Sequence, residues 1–235
     1  MRPHAYDGPV RNVTDRTRNP FDMRPDCPSF VPGYGDANAD FHVIGDRPGV
    51  HGGTEAGVPF TGASWSPAFL GALSAAGLIA GLADGVDDDG VARSGDPAAV
   101  DPVAVDRTFL SYLHACESDG VPDRDSYADM ERVFDAELRA IAAHVLLPVG
   151  TRATVQVFES YTARADAAEV DVDALHGAEL RGSGFLVVPI KDPADWERGD
   201  ADRLAAALRD LQATDFRRES DLGRFVAGTD PYFVR

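Results

Sequence analysis

A carboxylate followed by a glycine-rich loop is the part of this sequence best suited to chemistry. Asp46 comes directly after a short apolar run that ends at Gly45, and residues 47–62 carry His51 and Phe60 among glycines and prolines. In open α/β sheets, ligands bind beyond the carboxyl ends of the strands. An acid in that place could bind a metal ion, act as a general base or stabilise a cationic transition state.

Further polar side chains follow the other predicted strands. They are Tyr112, His114, Cys116, Thr151, Lys191 and Asp192. Because the carboxyl ends of parallel strands meet at one edge of a sheet, we expect these groups to gather near Asp46. A metal site formed by Asp46, His51 and Asp192 is conceivable, but the close ligand spacing of typical metal sites is missing, so we predict none.

Several common chemistries find no support in the sequence around the loop. Residues 45–49 match neither the dinucleotide-binding fingerprint nor the phosphate-binding loop, which needs a lysine. A serine hydrolase would need a nucleophile elbow, and none is present. The loop must therefore be interpreted from its own residues.

Continuous apolar runs that alternate with helical patterns predict the frame of this loop. The predicted strands are residues 41–44, 108–113, 144–150 and 184–190, and the predicted helices are residues 66–79, 127–143, 151–158 and a last helix capped by Asp200. This order indicates an α/β fold with a mainly parallel sheet covered on both faces. We predict an irregular arm at 1–38, one α/β domain at 39–235, and an acidic loop at 83–106.

The charge balance of the chain is strongly acidic. The formal net charge is −17, the sequence pI is about 4.6, and Lys191 is the only lysine. An acidic surface normally disfavours nucleic acid. Lysine depletion with many aspartates instead favours adaptation to molar salt, as in halophilic archaea, where the Debye length falls to about 3 Å and repulsion of DNA is screened. Stacking and hydrogen bonds must then supply most of the affinity.

Targeting signals and cysteines bear on the cellular compartment. The sequence contains no run of 18 apolar residues and no apolar signal-peptide core, so we expect a cytoplasmic protein. We also expect the protein to be a monomer. Cys27 and Cys116 are the only cysteines. In a cytosolic chain they are weak evidence for a disulfide, and alone they cannot hold an iron–sulfur cluster or a structural zinc ion.

Two parts of the loop carry a family resemblance. Residues 45–53 read GDRPGVHGG and residues 57–62 read GVPFTG. Together they resemble the first motif of the uracil-DNA glycosylase superfamily, most nearly that of its iron–sulfur branches. Residues 32–36 also resemble the segment that precedes the first strand in that family, and the order of elements matches from about Cys27 to the last helix.

This resemblance implies a three-layer α/β/α sandwich with a central four-stranded parallel sheet. It also implies a DNA-repair hydrolase that flips uracil or another deaminated base out of DNA and cleaves its N-glycosidic bond. Asp46 would position water and stabilise the oxocarbenium-like sugar, with Asp192 as the second catalytic position. Phe60 would stack on the flipped base, unless it is a core anchor beneath the loop. The other base-binding positions would be Arg47, Pro48, Gly49, His51 and Tyr112.

The sequence departs from the family at three places. Asp192 stands where a histidine should stabilise the leaving base, a role that Lys191 or His51 could assume. Tyr112 replaces the asparagine that reads uracil, and a phenol cannot make the paired contacts of an amide. Cys27 and Cys116 match two of four cluster cysteines, so we predict no iron–sulfur cluster, no other cofactor and two inert thiols.

Two hypotheses follow from these departures. One is a glycosylase with altered base specificity, acting on deaminated or single-stranded DNA. The other is a catalytically silent relative that binds nucleic acid or a small ligand.

Overall fold

The strands of the described residues form one mixed sheet and one separate ribbon. The computed structural model describes residues 16–82, 103–118, 120–162 and 170–223. The strands are β1 (Tyr34–Gly35), β2 (Phe41–Gly45), β3 (Ile79–Leu82), β4 (Val103–Val105), β5 (Thr108–Tyr112), β6 (Val145–Pro148), β7 (Leu180–Arg181) and β8 (Leu186–Val187). The six-stranded sheet has the order β1-β5-β2-β6-β8-β7, and β3 pairs with β4 in the ribbon.

Helices connect and cover these strands. They are α1 (Pro48–His51), α2 (Ser66–Ala75), α3 (Arg124–Ile141), α4 (Gly150–Tyr161), α5 (Val172–Leu175), α6 (Asp200–Gln212) and α7 (Phe216–Gly223), with a short 3₁₀ helix at Pro193–Asp195. Among the described residues, no helix is long and apolar enough to cross a membrane.

The centre of the sheet is parallel. β2 pairs in parallel with β5 on one side and β6 on the other, and β6 pairs in parallel with β8. The edge strands β1 and β7 are antiparallel to their neighbours. The prediction of an α/β fold with a mostly parallel sheet is therefore confirmed, while the sheet is wider than the resemblance implies.

Successive residues of β2 pack into different parts of the core. Val43 belongs to a cluster with Phe69 of α2 and Leu208 of α6. Ile44 belongs to another cluster, with Phe134 of α3 and Val157 of α4. Neighbouring side chains of a strand point to opposite faces, so β2 is held from both sides and its carboxyl end is firmly placed.

The first predicted helix is shorter than expected. It ends at Ala75 because the backbone turns at Gly77, whose φ is 76°, and the N–H of Leu78 bonds the carbonyl of Leu73. This is the glycine-based helix ending known as the Schellman motif. The chain then forms β3, which pairs with β4. The strand β4 lies inside the predicted loop 83–106, and residues 83–102 of that loop lie outside the described part.

The long helix α3 starts earlier than its predicted boundary. Asp123 caps it, since its side chain accepts the N–H of Ser126, so the helix begins at Arg124 and not at residue 127. The helix buries one apolar face, which is formed by Met130, Phe134, Leu138 and Ile141. The helix α4 begins at Gly150, one residue before its predicted start, and follows Val149.

The two cysteines form a disulfide, so the prediction of inert thiols is wrong. The N-terminal arm runs beside the segment after β5, where the N–H of Val31 bonds Ala115 and the N–H of Glu117 bonds Ser29. This pairing brings the Cα atoms of Cys27 and Cys116 to 6.2 Å, within reach of a disulfide. The arm, predicted as irregular, also contributes β1, while residues 1–15 lie outside the described part.

Candidate active site at the carboxyl edge of the sheet

The carboxyl ends of the parallel strands bring several predicted site residues together. Asp46 follows β2, and Tyr112 ends β5 in register with Gly45. Gly150 begins α4 directly after β6, and an ideal Cβ on it would lie 3.4 Å from Oδ2 of Asp192. Tyr112 and Asp192 therefore lie at the same edge as the loop that Asp46 begins, whereas Cys116 is bound in a disulfide and Lys191 lies against Asp200.

Asp46 is almost buried, with 9% of its surface exposed, and three side chains surround its carboxylate. The hydroxyl of Tyr127 donates to Oδ1. Nη1 of Arg47 lies 3.2 Å from Oδ2, and Nε of Arg152 lies 3.7 Å from Oδ1. Two guanidinium groups thus compensate the charge of this carboxylate, and one phenol fixes its orientation.

Tyr127 and Arg152 were missed by the sequence analysis. The guanidinium of Arg152 lies 4.4 Å from the ring centroid of Tyr127, within cation–π range, and both reach Asp46. Burial, and then the neighbouring Asp46, raise the pKa of Tyr127, so its hydroxyl stays a donor. Arg152 comes shortly after a predicted strand. The rule that residues following parallel strands meet at one edge of the sheet could therefore have identified it. Tyr127 comes from α3, which gives no such signal.

His51 is buried and connects two loops. The backbone N–H of Asp46 donates to its Nδ1 over 3.0 Å, so Nδ1 is unprotonated and the neutral ring carries its proton on Nε2. Nε2 lies 3.6 Å from Oδ2 of Asp192. At that distance no hydrogen bond forms, and Nε2 is buried without a hydrogen-bond partner among the described residues. His51 thus holds the loop after β2 through Nδ1 and lies beside the loop after β8 through Nε2.

Asp192 is turned toward its own loop and toward His51. Its Oδ1 accepts the N–H of Ala194 over 3.0 Å at the start of the 3₁₀ helix. Burial raises the pKa of Asp192, but the contact with His51 and the bond from Ala194 outweigh it, so the pKa lies below its ordinary value. Asp192 is thus a carboxylate at neutral pH. Lys191 points elsewhere, with Nζ 3.5 Å from Asp200.

Phe60 is a fully buried ring within an aromatic cluster. Its centroid lies 5.0 Å from that of Phe69, 5.3 Å from Tyr112 and 5.6 Å from His51. These rings cover it, so a base could stack on Phe60 only after one of them moved. In the described arrangement Phe60 anchors the loop to the core, which is the alternative reading that its sequence position left open.

The hydroxyl of Tyr112 locks the glycine-rich loop onto β5. It accepts the N–H of Phe60 over 2.7 Å and lies 2.9 Å from the carbonyl of His51 and 3.0 Å from that of Gly52. One phenolic proton serves these carbonyls, so the hydroxyl is fully engaged with backbone. Gly45 permits this closure, because a Cβ there would lie 2.7 Å from the Tyr112 ring.

The remaining predicted base-binding residues form the first turn of the loop. Pro48 is buried at the start of α1, Gly49 is exposed, and Arg47 is half-buried against Asp46. Their contact with a base stays a prediction. Within the described residues, no group of three or more histidine, cysteine, aspartate or glutamate side chains could hold a metal ion.

Comparisons with known proteins leave the chain without an assigned family. No protein-family model matches it, and the curated protein sequences contain no significant match.

Proposed function

We propose that the protein hydrolyses the N-glycosidic bond of uracil or another deaminated base in DNA. The observation that carries this proposal is the placement of Asp46, directly after the central parallel strand and oriented by Tyr127, Arg47 and Arg152. The resemblance of residues 45–53 and 57–62 to the glycosylase motif supports it. Membership of that superfamily, with its three-layer fold and four parallel strands, is part of the proposal.

Asp46 suits the charge that develops at the sugar. Cleavage of an N-glycosidic bond leaves positive charge on the sugar and negative charge on the base. A carboxylate held by three side chains stabilises the cation with little reorganisation, and it accepts a hydrogen bond from the attacking water. Arg47 and Arg152 lie beside this carboxylate inside a nearly buried site.

The leaving base receives less help here than a histidine would give. In the described arrangement Nε2 of His51 faces Asp192, and the N–H of Val50 is bonded to the carbonyl of Arg47. The hydrogen bonds that stabilise the leaving base would then come from backbone N–H groups near Gly49, which is exposed. Weak stabilisation of the leaving anion favours bases that are better leaving groups, so we expect xanthine to be released faster than uracil.

Single-turnover cleavage tests the proposal. Folded protein in molar KCl is incubated with oligonucleotides that contain uracil, hypoxanthine or xanthine, and abasic sites are revealed by alkaline strand cleavage. We expect product with at least one lesion and a loss of about 100-fold or more in Asp46→Asn, since a developing charge then lacks its partner. Asp195→Asn is the matched control, because Asp195 is an exposed acid in the 3₁₀ helix near Asp192. Absence of product with every lesion would refute the proposal.

A catalytically silent protein that binds nucleic acid or a small ligand is the second candidate. Two observations favour it. The Tyr112 hydroxyl makes its hydrogen bonds to the loop backbone, and the ring of Phe60 is buried. Fluorescence anisotropy with the same oligonucleotides separates the two functions. Saturable binding with no abasic product supports this candidate over the enzyme.

A further inference from the structure

A cleft between α3 and the N-terminal arm contains a buried carboxyl group that the proposed hydrolysis does not use. Its lining comes from the arm, from β5 with the segment after it, and from α3. Glu137 of α3 is 6% exposed, and within the described structure it is the only carboxyl or basic side chain of the lining. Of the residues placed at the carboxyl-edge site, only Tyr112 also lines this cleft. The two sites are therefore distinct.

The carboxyl group of Glu137 lies against the backbone of the arm at Gly33. An ideal Cβ on Gly33 would lie 2.4 Å from Oε2 of Glu137, which is closer than real side chains approach. Glycine at this position therefore leaves room for the carboxyl group between α3 and the arm. Both residues line the cleft, so Oε2 lies at its wall.

The charge of Glu137 has no counter-ion in the described part of the chain, since no basic side chain pairs with it there. Arg139 of the same helix pairs with Asp135, and Arg24 of the arm pairs with Asp22. A buried carboxylate is costly unless a positive charge compensates it. A cation that enters the cleft would supply this charge.

The rest of the lining is apolar and suits the hydrocarbon part of a ligand. Met130 and Phe134 are buried, and Met23 and Phe30 are half-buried. Aromatic rings attract cations, and the flexible thioether of methionine adapts to apolar groups of different shape. One carboxylate beside such a surface is the chemistry that recognises an amine with a short apolar chain.

The size of the cleft limits which cation can reach Glu137. The cleft has a volume of about 20 Å³, and one water-sized group needs about 10–15 Å³. A primary ammonium group is close to a water molecule in size, so it fits beside the carboxylate, whereas a quaternary ammonium group is too large. The apolar chain would lie along Met23 and Phe30, which reach solvent.

The arm is fixed in place, so the cleft exists before a ligand binds. The N–H of Val31 bonds the carbonyl of Ala115, and the disulfide joins Cys27 to Cys116. A preformed cleft binds its ligand without the cost of ordering a wall.

We propose that this cleft binds a small primary ammonium compound, with Glu137 as the counter-ion of the ammonium group and Met23, Met130 and Phe134 as its apolar contacts. The occupant is a free amine with a short hydrocarbon chain. The site does not depend on hydrolysis at Asp46, so either proposal can fail without the other.

Methyl NMR of the methionines tests this site in the full chain. Met23 and Met130 are two of only three methionines, and Met23→Leu and Met130→Leu assign their signals. Protein with ¹³C-labelled methionine methyl groups is titrated with n-butylammonium chloride in molar KCl. Burial raises the pKa of Glu137 to about 7, so the titration is done at pH 8, where the group is a carboxylate. We expect saturable shifts of both signals.

Ligands of the same length separate charge recognition from apolar binding. n-Butanol and butyrate should bind about tenfold more weakly than n-butylammonium or worse, because they lack the positive charge. Tetramethylammonium should give no saturable shift. Equal affinities for n-butylammonium and n-butanol, or no saturable shift with n-butylammonium, would overturn the proposal.

One variant and a matched control test the role of Glu137. Glu137→Gln keeps the shape of the side chain and removes its charge, so n-butylammonium should bind about tenfold more weakly while n-butanol binds as before. Glu131→Gln, at an exposed position of α3, should bind both ligands like the wild type. Unchanged affinity for n-butylammonium in Glu137→Gln would contradict the proposal. The ligand comparison in the wild type needs no variant, so it remains decisive if Glu137→Gln does not fold.

Discussion

The backbone N–H of Asp46 donates to Nδ1 of His51 over 3.0 Å, and Nε2 of the same ring faces Asp192 at 3.6 Å. One histidine thus connects the loop after the central strand to the loop after β8. The resemblance to the glycosylase motif offered His51 as a substitute for a histidine at position 192, but Nδ1 of His51 accepts a backbone N–H and its Nε2 faces a carboxylate. Its role in this arrangement is to hold the position of the Asp46 backbone.

Substitutions of His51 should show how much the contact of Nδ1 with the Asp46 N–H and the contact of Nε2 with Asp192 each contribute to stability. His51→Ala removes both contacts and leaves a cavity, so we expect a loss of about 3 kcal/mol in the free energy of unfolding. The side-chain oxygen of His51→Asn can still accept the N–H of Asp46, so its loss should be about half as large. Chemical denaturation in molar KCl measures both values. Equal losses in the two variants would show that the bond to Nδ1 contributes little.

Removal of the Tyr112 hydroxyl should loosen the loop while the ring packing stays. In Tyr112→Phe, the N–H of Phe60 and a loop carbonyl lose their buried partner, so we expect a loss of about 1–3 kcal/mol in stability. Amide hydrogen exchange at Phe60 should become faster than in the wild type. If Tyr112 reads the base instead, the variant would change base preference and leave this exchange rate unaltered.

Tyr127→Phe tests whether the phenol positions the Asp46 carboxylate for the proposed hydrolysis. The ring remains beneath Arg152, but Asp46 loses its hydroxyl donor, so we expect the single-turnover cleavage rate to fall about tenfold with oligonucleotide affinity unchanged. Tyr161→Phe is a matched control, because its hydroxyl bonds Asp135 instead of Asp46. Equal rates for the two variants would argue against a positioning role.

The pH dependence of stability should reveal Glu137 and His42 as an opposed pair. The pKa of Glu137 is about 7 in the folded protein against an ordinary 4.5, so its contribution is lost as pH rises from 4.5 to 7. The pKa of His42 is about 3 against 6.5, so its contribution is lost as pH falls from 6.5 toward 3. Between pH 4.5 and 6.5 the two slopes cancel.

Substitution of either residue should reveal how the stability contribution of the other one depends on pH. Relative to the wild type, Glu137→Gln should lose stability as pH falls from 6.5 to 4.5, by about 1.4 kcal/mol per pH unit at most. His42→Gln should gain stability over the same interval by a similar amount. Differences between variant and wild type, measured by denaturation at pH 5 and 6, remove the contributions of other groups. If the free energy of unfolding depends on pH in the same way in the wild type and in both variants, Glu137 and His42 do not make opposite contributions.

Reduction of the disulfide should destabilise the fold. Cys27 and Cys116 are 89 positions apart, and closing a loop of that length stabilises the folded state by about 4.6 kcal/mol in the chain-entropy model. We expect a phosphine reductant to lower the melting temperature of the wild type. The double variant Cys27→Ser, Cys116→Ser should melt at the reduced temperature and not respond. An unchanged wild-type melting temperature after complete reduction would contradict this expectation.

Local patterns in the sequence were enough to place the frame and half of the candidate site. The apolar runs at β2, β5 and β6 are continuous because these strands are buried on both faces, and the apolar face of α3 follows the helical period. The position of Asp46 and Asp192 at one edge follows from strand direction alone. Such features depend on neighbours in the chain, so composition and spacing reveal them.

Contacts between distant segments were decided only by the tertiary structure. The approach of Tyr127 and Arg152 to Asp46, the pairing of β3 with β4 and the disulfide each depend on how remote elements pack, which no local period encodes. The same holds for Tyr112. The sequence determined that an aromatic residue ends β5, and packing decided that its hydroxyl closes the loop, because buried backbone groups must find a partner.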